Sequence, residues 1–216
     1  MKRLSNRQIA KILAEYSVSA DNESPLVKGI QSYVCLLLQW NRSISLTTVT
    51  DPDEIIRFHF GESLFAASFV PITGGRLADV GTGAGFPGLP LKMLIPSLDL
   101  TLIESNAKKA AFLAEVVRRL GLDSVHIFRG RMEEFENGPD LTSSARFDVI
   151  TARAFGQSDN LLAWSRLHLA DSGKIVLWLG QDDVALISQK SGWGWGEPAQ
   201  IPGSKRRFIA WGKPRD

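Results

Sequence analysis

The segment that most constrains the fold is a short apolar strand that runs directly into a glycine-rich loop. Residues 76–80 are Arg-Leu-Ala-Asp-Val, and residues 81–88 are Gly-Thr-Gly-Ala-Gly-Phe-Pro-Gly. A helix is predicted from Pro87, because proline suits the first helical turn. Glycines between a strand and a helix let the backbone approach a ligand with no Cβ in the way. This order favours a ligand-binding loop over the alternative, a tight turn that only packs the helix against the strand.

The rest of the chain alternates in the same way, behind a helical front. Apolar spacing predicts front helices at 5–16, at 26–40 and from Asp51 to about Phe69. After the loop we expect strands at 99–103, 124–129, 147–151 and 174–179, helices at 106–120, 158–169 and 182–189, and a closing strand pair at 192–198 and 206–211.

This alternation predicts an α/β, Rossmann-like sheet of about seven mostly parallel strands flanked by helices, with a ligand crevice at the carboxyl ends of the strands. Residues 1–70 would form an N-terminal helical extension packed on a core of residues 71–216, in one compact unit. Cys35 is the one cysteine of the 216 residues, which excludes a disulfide framework and a multi-cysteine zinc site. The longest apolar run, residues 34–38, is far shorter than the ~20 residues that span a bilayer. We expect a cytoplasmic protein with no membrane segment and no metal.

The net charge of +2 does not by itself indicate a nucleic-acid-binding protein, since such domains are usually strongly basic. Local clusters would have to carry that binding: Lys108-Lys109, Arg118-Arg119, Arg129 with Arg131, and Lys205-Arg206-Arg207. Each cluster taken alone is typical of a solvated surface.

Two ligand classes compete for the glycine loop. Gly83-x-Gly85-x-x-Gly88 matches the dinucleotide pattern, in which helix N–H groups face a pyrophosphate. The carboxylate of Asp79 would repel phosphates but suits a ligand with ammonium and sulfonium charges, such as S-adenosylmethionine. Pro87 also removes an N–H that a pyrophosphate site would use. Glu104 ends the next strand, where either ligand would offer ribose hydroxyls to an acid.

These residues lie in segments that resemble the 16S ribosomal RNA guanine-N7 methyltransferase family, also known as glucose-inhibited division protein B. The resemblance covers roughly residues 35–185. Its most specific element is Asp79-Val-Gly-Thr-Gly-Ala-Gly-Phe-Pro-Gly-Leu-Pro-Leu91. Further similar segments are Leu102-Ile-Glu-Ser-Asn-Ala-Lys-Lys-Ala-Ala-Phe-Leu113, Arg131-Met-Glu-Glu134 and Thr151-Ala-Arg-Ala-Phe155.

The resemblance implies a class I methyltransferase fold and contacts to S-adenosylmethionine from Gly81, Phe86, Met132, Glu133 and Arg153. Met132 and Phe86 would sandwich the adenine ring, and Arg153 would meet a carboxylate or the RNA. The loop argument adds cofactor-binding candidates at Asp79, Gly83, Glu104 and Ser105.

The implied reaction is methylation of guanine N7 in the 530 loop of 16S rRNA, within the 30S subunit or an assembly intermediate, by a monomer. The lone pair of N7 needs no general base, so we expect no certain catalytic residue. His59 and Arg153 are candidates for positioning the substrate. Phe58, Phe86 and Phe155 are candidate stacking surfaces, whereas Trp193, Trp195 and Trp211 are expected to pack in the closing strands.

Other functions stay open at this point: a methyltransferase with a small-molecule or protein acceptor, or a non-catalytic nucleotide-binding, ribosome-associated protein. The chain also departs from the family pattern. Leu179 stands where the family has a lysine, and Glu62 stands where it has an aspartate. The lost cation would have to be replaced by His59, Arg57 or Lys174.

Overall fold

The computed structural model of this protein describes residues 4–137, 146–153 and 158–215. Its helices are α1 (Asn6–Ala14), α2 (Pro25–Trp40), α3 (Pro52–Ile55), α4 (Glu62–Phe65), α5 (Gly88–Leu94), α6 (Ala107–Leu120), α7 (Ser158–His168) and α8 (Gln181–Ile187). A π-helical turn covers Ile56–Gly61, and 3₁₀ turns cover Ala66–Ser68 and Met132–Asn137. The strands are β1 (Gly75–Val80), β2 (Leu98–Ile103), β3 (Val125–Phe128), β4 (Phe147–Arg153), β5 (Leu169–Gly180), β6 (Trp193–Trp195), β7 (Ala199–Gln200) and β8 (Arg207–Pro214).

These strands form one eight-stranded sheet in the order β3-β2-β1-β4-β5-β8-β6, with β7 paired to β8. The first five strands are parallel, and β8 runs antiparallel to β5 and to β6. The predicted mostly parallel α/β sheet is confirmed, as is the closing strand pair. The fifth strand begins at Leu169 and not at Lys174, because its first residues extend the pairing with Phe147 past a register shift.

The N-terminal helices begin where the sequence offers a side-chain cap. Ser5, Ser24 and Asp51 each accept a hydrogen bond from the amide three residues on, at 3.2, 3.3 and 3.1 Å. The third predicted helix is one continuous helical segment with three geometries: an α turn, the π turn of Ile56–Gly61, then α and 3₁₀ turns to Ser68. The π turn was not predicted, since apolar spacing cannot distinguish it from an α turn.

One apolar cluster joins the helical front to the sheet. It includes Ile30 and Tyr33 of α2, Phe60 of the π turn, Leu113 of α6 and Leu100 of β2, all buried. The predicted boundary near residue 70 therefore has core residues on both sides. A second cluster covers the opposite face of the sheet and includes residues of α7. Among the described residues, no helix is long and apolar enough to span a membrane.

Candidate ligand-binding site

A cleft of about 170 Å³ opens at the carboxyl ends of β1, β2 and β3. Its walls bring together residues that follow three neighbouring strands, as expected for a parallel sheet. Five of the predicted site residues line it: Gly81, Glu104, Ser105, Met132 and Glu133. The other lining residues are Val80, Ile103, Gly130 and Arg131. Apolar walls beside a carboxylate and a hydroxyl fit an adenosine, which has a flat ring and ribose hydroxyls.

Six of the seven amide N–H groups of the glycine loop, residues 81–88, donate to acceptors inside the protein. Each of these amide nitrogens lies within 3.2 Å of a backbone or side-chain oxygen. The donors are the amides of Gly81, Thr82, Gly83, Gly85, Phe86 and Gly88. A pyrophosphate site needs several free amides aimed at the ligand. The geometry therefore disfavours the dinucleotide alternative.

Asp79 is the internal anchor of this loop. Its side chain is fully buried and accepts hydrogen bonds from the Thr82 hydroxyl at 2.5 Å, the Gly88 amide at 2.9 Å and the Thr151 hydroxyl at 2.8 Å. Burial raises the pKa of Asp79 to about 6, although these three hydrogen bonds oppose the shift. Asp79 is buried and does not line the cleft, so in this structure it anchors the loop, and its predicted contact with the ligand stays a prediction.

Glu104 links the loop to the next helix while facing the cleft. Its carboxylate accepts the Gly83 amide at 2.9 Å and the Asn106 amide at 2.7 Å, and 6% of the residue is exposed. Gly83 has a φ of +60°, a conformation that favours glycine and turns its amide toward Glu104. Glu104 thus supports Gly83 from behind and offers its remaining lone pairs to the cleft.

Phe86 and Met132 belong to two different apolar clusters, an arrangement that does not favour the predicted adenine sandwich between them. The Phe86 ring stacks on Tyr33 at 5.4 Å and on His59 at 4.8 Å between centroids, within the cluster that covers the α2 face. Met132 belongs to the cluster on the opposite face. The phenol of Tyr33, fully buried, donates to the Ala84 carbonyl at 2.5 Å and holds the loop from the α2 side.

His59 sits in the π turn with its ring against Phe86. Its Nε2 lies 2.8 Å from the Thr47 hydroxyl, which also accepts the Val49 amide at 3.1 Å. Burial, and secondarily the charge of Arg153, lower the pKa of His59 to about 4. The imidazole is therefore neutral at physiological pH.

Arg153 ends β4 and pairs with a carboxylate of α4, the helix that directly follows the π turn. Its Nη2 donates to Glu62 Oε2 at 2.9 Å, and Glu62 is 1% exposed. The pKa of Glu62 is raised by burial, against the opposing charges of Arg153 and Arg207. Arg153 follows Ala152, the register partner of Val80, so it lies beside the start of the glycine loop at Gly81.

Two of the cations proposed to replace the family lysine point elsewhere. Arg57 pairs with Glu15, beyond the end of α1. Lys174 donates to the Pro71 carbonyl at 2.9 Å, near the amino end of the sheet. Phe155, a predicted stacking surface, lies outside the described residues, whereas Phe58 lies under the guanidinium of Arg207 at 4.6 Å. No group of three potential metal ligands occurs among residues 4–137, 146–153 and 158–215.

A comparison with protein-family models matches residues 27–191 to the model GidB, described as rRNA small subunit methyltransferase G. A relative from Xanthomonas campestris pv. campestris (strain 8004), named Ribosomal RNA small subunit methyltransferase G, is 35% identical over 200 residues, which cover 90% of this chain and 88% of that protein. The chain belongs to this family. The resemblance drawn from the motifs is confirmed, and so is the prediction of a methyltransferase.

A relative of the same name from Streptococcus equi subsp. zooepidemicus (strain H70) is 38% identical over 147 residues, or 67% of this chain. The chain covers 61% of that protein's length. Among solved structures, the glycopeptide N-methyltransferase MtfA complexed with S-adenosyl-L-methionine matches with a TM-score of 0.57 and 14% identity, over 72% of this chain and 93% of that one. This likeness supports the predicted class I methyltransferase fold.

Sequence reasoning missed several residues that build the site: Tyr33, Thr151, Glu62 and Arg207. Tyr33 occupies an apolar helical stripe, where its hydroxyl was the one signal of a buried polar partner. Thr151 was quoted only as part of a motif, and Arg207 only as part of a basic cluster. Their partners are more than 50 positions away in the chain, so no local pattern identifies them.

Proposed function

We propose that this protein transfers a methyl group from S-adenosylmethionine to guanine N7 in the 530 loop of 16S rRNA. The observation that carries the cofactor part is a glycine loop with six of its amides satisfied internally, beside a cleft that offers Glu104 and apolar walls. Such a cleft fits an adenosine without a pyrophosphate. The family assignment supports ribosomal RNA as the substrate, and the position in the 530 loop rests on the motif resemblance alone.

Within the cleft, each wall has a distinct task. Glu104 accepts hydrogen bonds from ribose hydroxyls, with Ser105 beside it. Met132 packs on one face of the adenine, while backbone groups at Met132 and Glu133 contact the edge of the ring. Gly81, with a φ of +66°, leaves room for the part of the ligand beyond the ribose.

The bound cofactor supplies an electrophilic methyl carbon on a sulfonium. Guanine N7 carries a free lone pair at neutral pH, so the chain's task is alignment and not proton removal. His59 is neutral and positions the base by packing and by a ring N–H. The Thr47 hydroxyl accepts the Val49 amide and can donate to Nε2 of His59, which leaves the ring proton on Nδ1. Positive charge develops on the purine during methyl transfer. The carboxylates of the site stabilise this charge and so lower the energy of the transition state.

The target base must leave its stack to reach a methyl group in this cleft. Proteins recognise such bases in single-stranded loops or in distorted RNA. We therefore place the substrate in an exposed loop of the 30S subunit or of an assembly intermediate, in the cytoplasm, with a monomeric enzyme. The basic residues Lys108, Arg129 and Arg131 lie near the mouth of the cleft and would face the RNA.

The test compares binding and turnover in one preparation. Calorimetric titration with S-adenosylhomocysteine and with NAD should give binding of the first alone. Purified protein should then methylate guanine N7 in undermethylated 30S subunits or in naked 16S rRNA, detected by nuclease digestion and mass spectrometry. Cofactor binding with no transfer to either RNA would indicate another acceptor, and binding of NAD alone would contradict the loop argument.

Gly81→Ala has a matched control in this chain. Gly81 and Gly121 have similar φ values, +66° and +60°, so alanine costs about 1–2 kcal/mol of backbone strain at either position. A Cβ on Gly121 meets no atom within 4 Å. Both variants should lose similar stability, but only Gly81→Ala should weaken S-adenosylhomocysteine binding, since Gly81 lines the cleft and Gly121 does not. Equal affinities would place the ligand elsewhere.

A further inference from the structure

At the carboxyl edge of the sheet, two guanidinium groups share one buried carboxylate. Arg153 Nη2 lies 2.9 Å from Glu62 Oε2, and Arg207 Nη1 lies 2.5 Å from Glu62 Oε1. The Glu62 side chain is 1% exposed, whereas those of Arg153 and Arg207 are 22% and 37% exposed. Two positive charges against one negative charge leave this cluster with a surplus of one positive charge.

The fold holds both guanidinium groups in place before any ligand arrives. Glu62 directly follows the π turn, and its carbonyl accepts the Trp178 indole N–H at 2.7 Å. Arg207 lies over the Phe58 ring at 4.6 Å, and its Nε donates to the Ser204 hydroxyl at 3.1 Å. These contacts fix Arg207 from its two sides, so little side-chain entropy remains to be lost on binding.

The cluster also contains one donor that the protein does not satisfy. Arg153 Nη1 is buried and has no hydrogen-bond partner among the described residues, 4–137, 146–153 and 158–215. Buried polar groups are normally hydrogen-bonded, so an orphan of this kind calls for an explanation. A guanidinium presents its N–H groups as a planar fork that matches the oxygens of a phosphate.

The position of the cluster relates it to both the cleft and the missing family lysine. Arg153 lies next to Gly81 along the sheet edge. Arg207 is the register partner of Gly180, and Phe208 is the partner of Leu179, the residue at the family lysine position. Arg207 is therefore a cation adjacent to that position; the sequence analysis named it only as part of a basic cluster and not as a replacement for the lysine.

We propose that Arg153 and Arg207, held by Glu62, form a binding site for a phosphodiester group of the RNA next to the methylated base. The inference rests on the proposed function, since it names where that substrate's backbone binds. Glu62 is a positioning residue here: it orients both forks and does not touch the RNA.

A carboxylate, such as that of an amino-acid cofactor, could use the same donors. The two sources differ in what Arg207 does. If the site takes an RNA phosphate, Arg207 contributes to RNA binding in the absence of cofactor. If the cluster takes only the carboxylate of the cofactor, loss of Arg207 weakens cofactor binding and leaves RNA binding alone.

The experiment uses the full-length chain with Arg207→Met, which keeps the stem over Phe58 and removes the fork. Filter binding to 16S rRNA across a KCl series, without cofactor, should give roughly 5-fold to 10-fold weaker affinity. The slope of log affinity against log salt should fall by about 0.7 to 0.9, the value for one phosphate contact. Calorimetric affinity for S-adenosylhomocysteine should not change.

Two further variants sharpen the result. Arg118→Met is the matched control, because Arg118 pairs with Glu115 near the end of α6 that lies away from the cleft, so RNA affinity and slope should stay at wild-type values. Arg207→Lys keeps the charge without the fork, so the salt slope should recover while affinity recovers only in part.

Wild-type RNA affinity and slope in Arg207→Met, with wild-type protein still methylating the RNA, would overturn this inference and leave the proposed function intact. Weakened S-adenosylhomocysteine binding with unchanged RNA binding would overturn it in favour of the carboxylate. Failure of the wild-type protein to bind or methylate 16S rRNA in any form would overturn both the inference and the proposed function.

Discussion

Asp79 and Thr151 are register partners on the neighbouring parallel strands β1 and β4, and the Thr151 hydroxyl donates to the Asp79 carboxylate at 2.8 Å. This pair connects the strand that carries the glycine loop to the strand that carries Arg153. Both residues are fully buried. The loop therefore depends on a hydrogen bond between segments 72 positions apart in the chain.

Replacing Thr151 with valine tests this bond, because valine keeps the shape and removes the donor. We expect a loss of about 1–3 kcal/mol in the free energy of unfolding at pH 7.5, since a buried carboxylate oxygen loses its partner. The loss should shrink at pH 5, where Asp79 is protonated. Urea unfolding at the two pH values measures it, with Thr151→Ser as the control that keeps the hydroxyl. An equal loss of unfolding free energy at both pH values would contradict a role for the negative charge of Asp79.

The raised pKa of Asp79 predicts how stability depends on pH. An acid whose pKa is about 6 when folded and 3.8 when unfolded binds more protons in the folded state between those values. Stability relative to Asp79→Asn should therefore be greatest below pH 4 and fall as pH rises through 6, by about 3 kcal/mol at most. Paired unfolding curves from pH 4 to 8 test the sign. A difference that grows in favour of the wild type as pH rises would refute it.

His59 should titrate in the opposite sense. Its pKa is about 4 when folded and 6.5 when unfolded, so the unfolded state binds more protons between those values. The contribution of His59 to the free energy of unfolding is full above pH 6.5. It is lost as the pH falls toward 4, by about 3 kcal/mol at most. We expect the ring signals of His59 in NMR spectra to stay at their neutral positions down to pH 5. The signals are assigned to His59 by their loss in His59→Gln, which serves as the control. If the His59 ring titrated near pH 6.5, the buried geometry would be excluded.

The Tyr33 hydroxyl supports the loop from α2, and its removal should affect ligand binding at a distance. Tyr33→Phe leaves the buried Ala84 carbonyl without this donor, at a cost of about 1–2 kcal/mol in stability. Because the loop loses a support, we also expect several-fold weaker binding of S-adenosylhomocysteine by calorimetry. Tyr16→Phe changes another buried tyrosine, one that packs against Gly61, and should leave that affinity unchanged. Equal ligand affinities in the two variants would limit Tyr33 to packing.

Features that depend on near neighbours in the chain were predictable from the sequence. The order of strands and helices, the helix start at Asp51 and the glycine loop all follow from residues within one element or turn. The gathering of Gly81, Glu104 and Met132 in one cleft was also predictable, because the carboxyl ends of parallel strands meet at one edge.

Tertiary structure decided which side chains face one another across that edge. A strand pattern cannot tell which face of the sheet an adjoining loop residue occupies, so the sequence did not reveal that Phe86 and Met132 belong to different apolar clusters. For the same reason, the sequence did not show that Arg153 and Arg207 share the carboxylate of Glu62. These two residues follow Glu62 by 91 and 145 positions in the chain, and only folding brings them into contact with it. Sequence determined the elements and the chemistry at their ends, and long-range packing determined the pairs, because hydrogen bonds and ion pairs depend on distance in space.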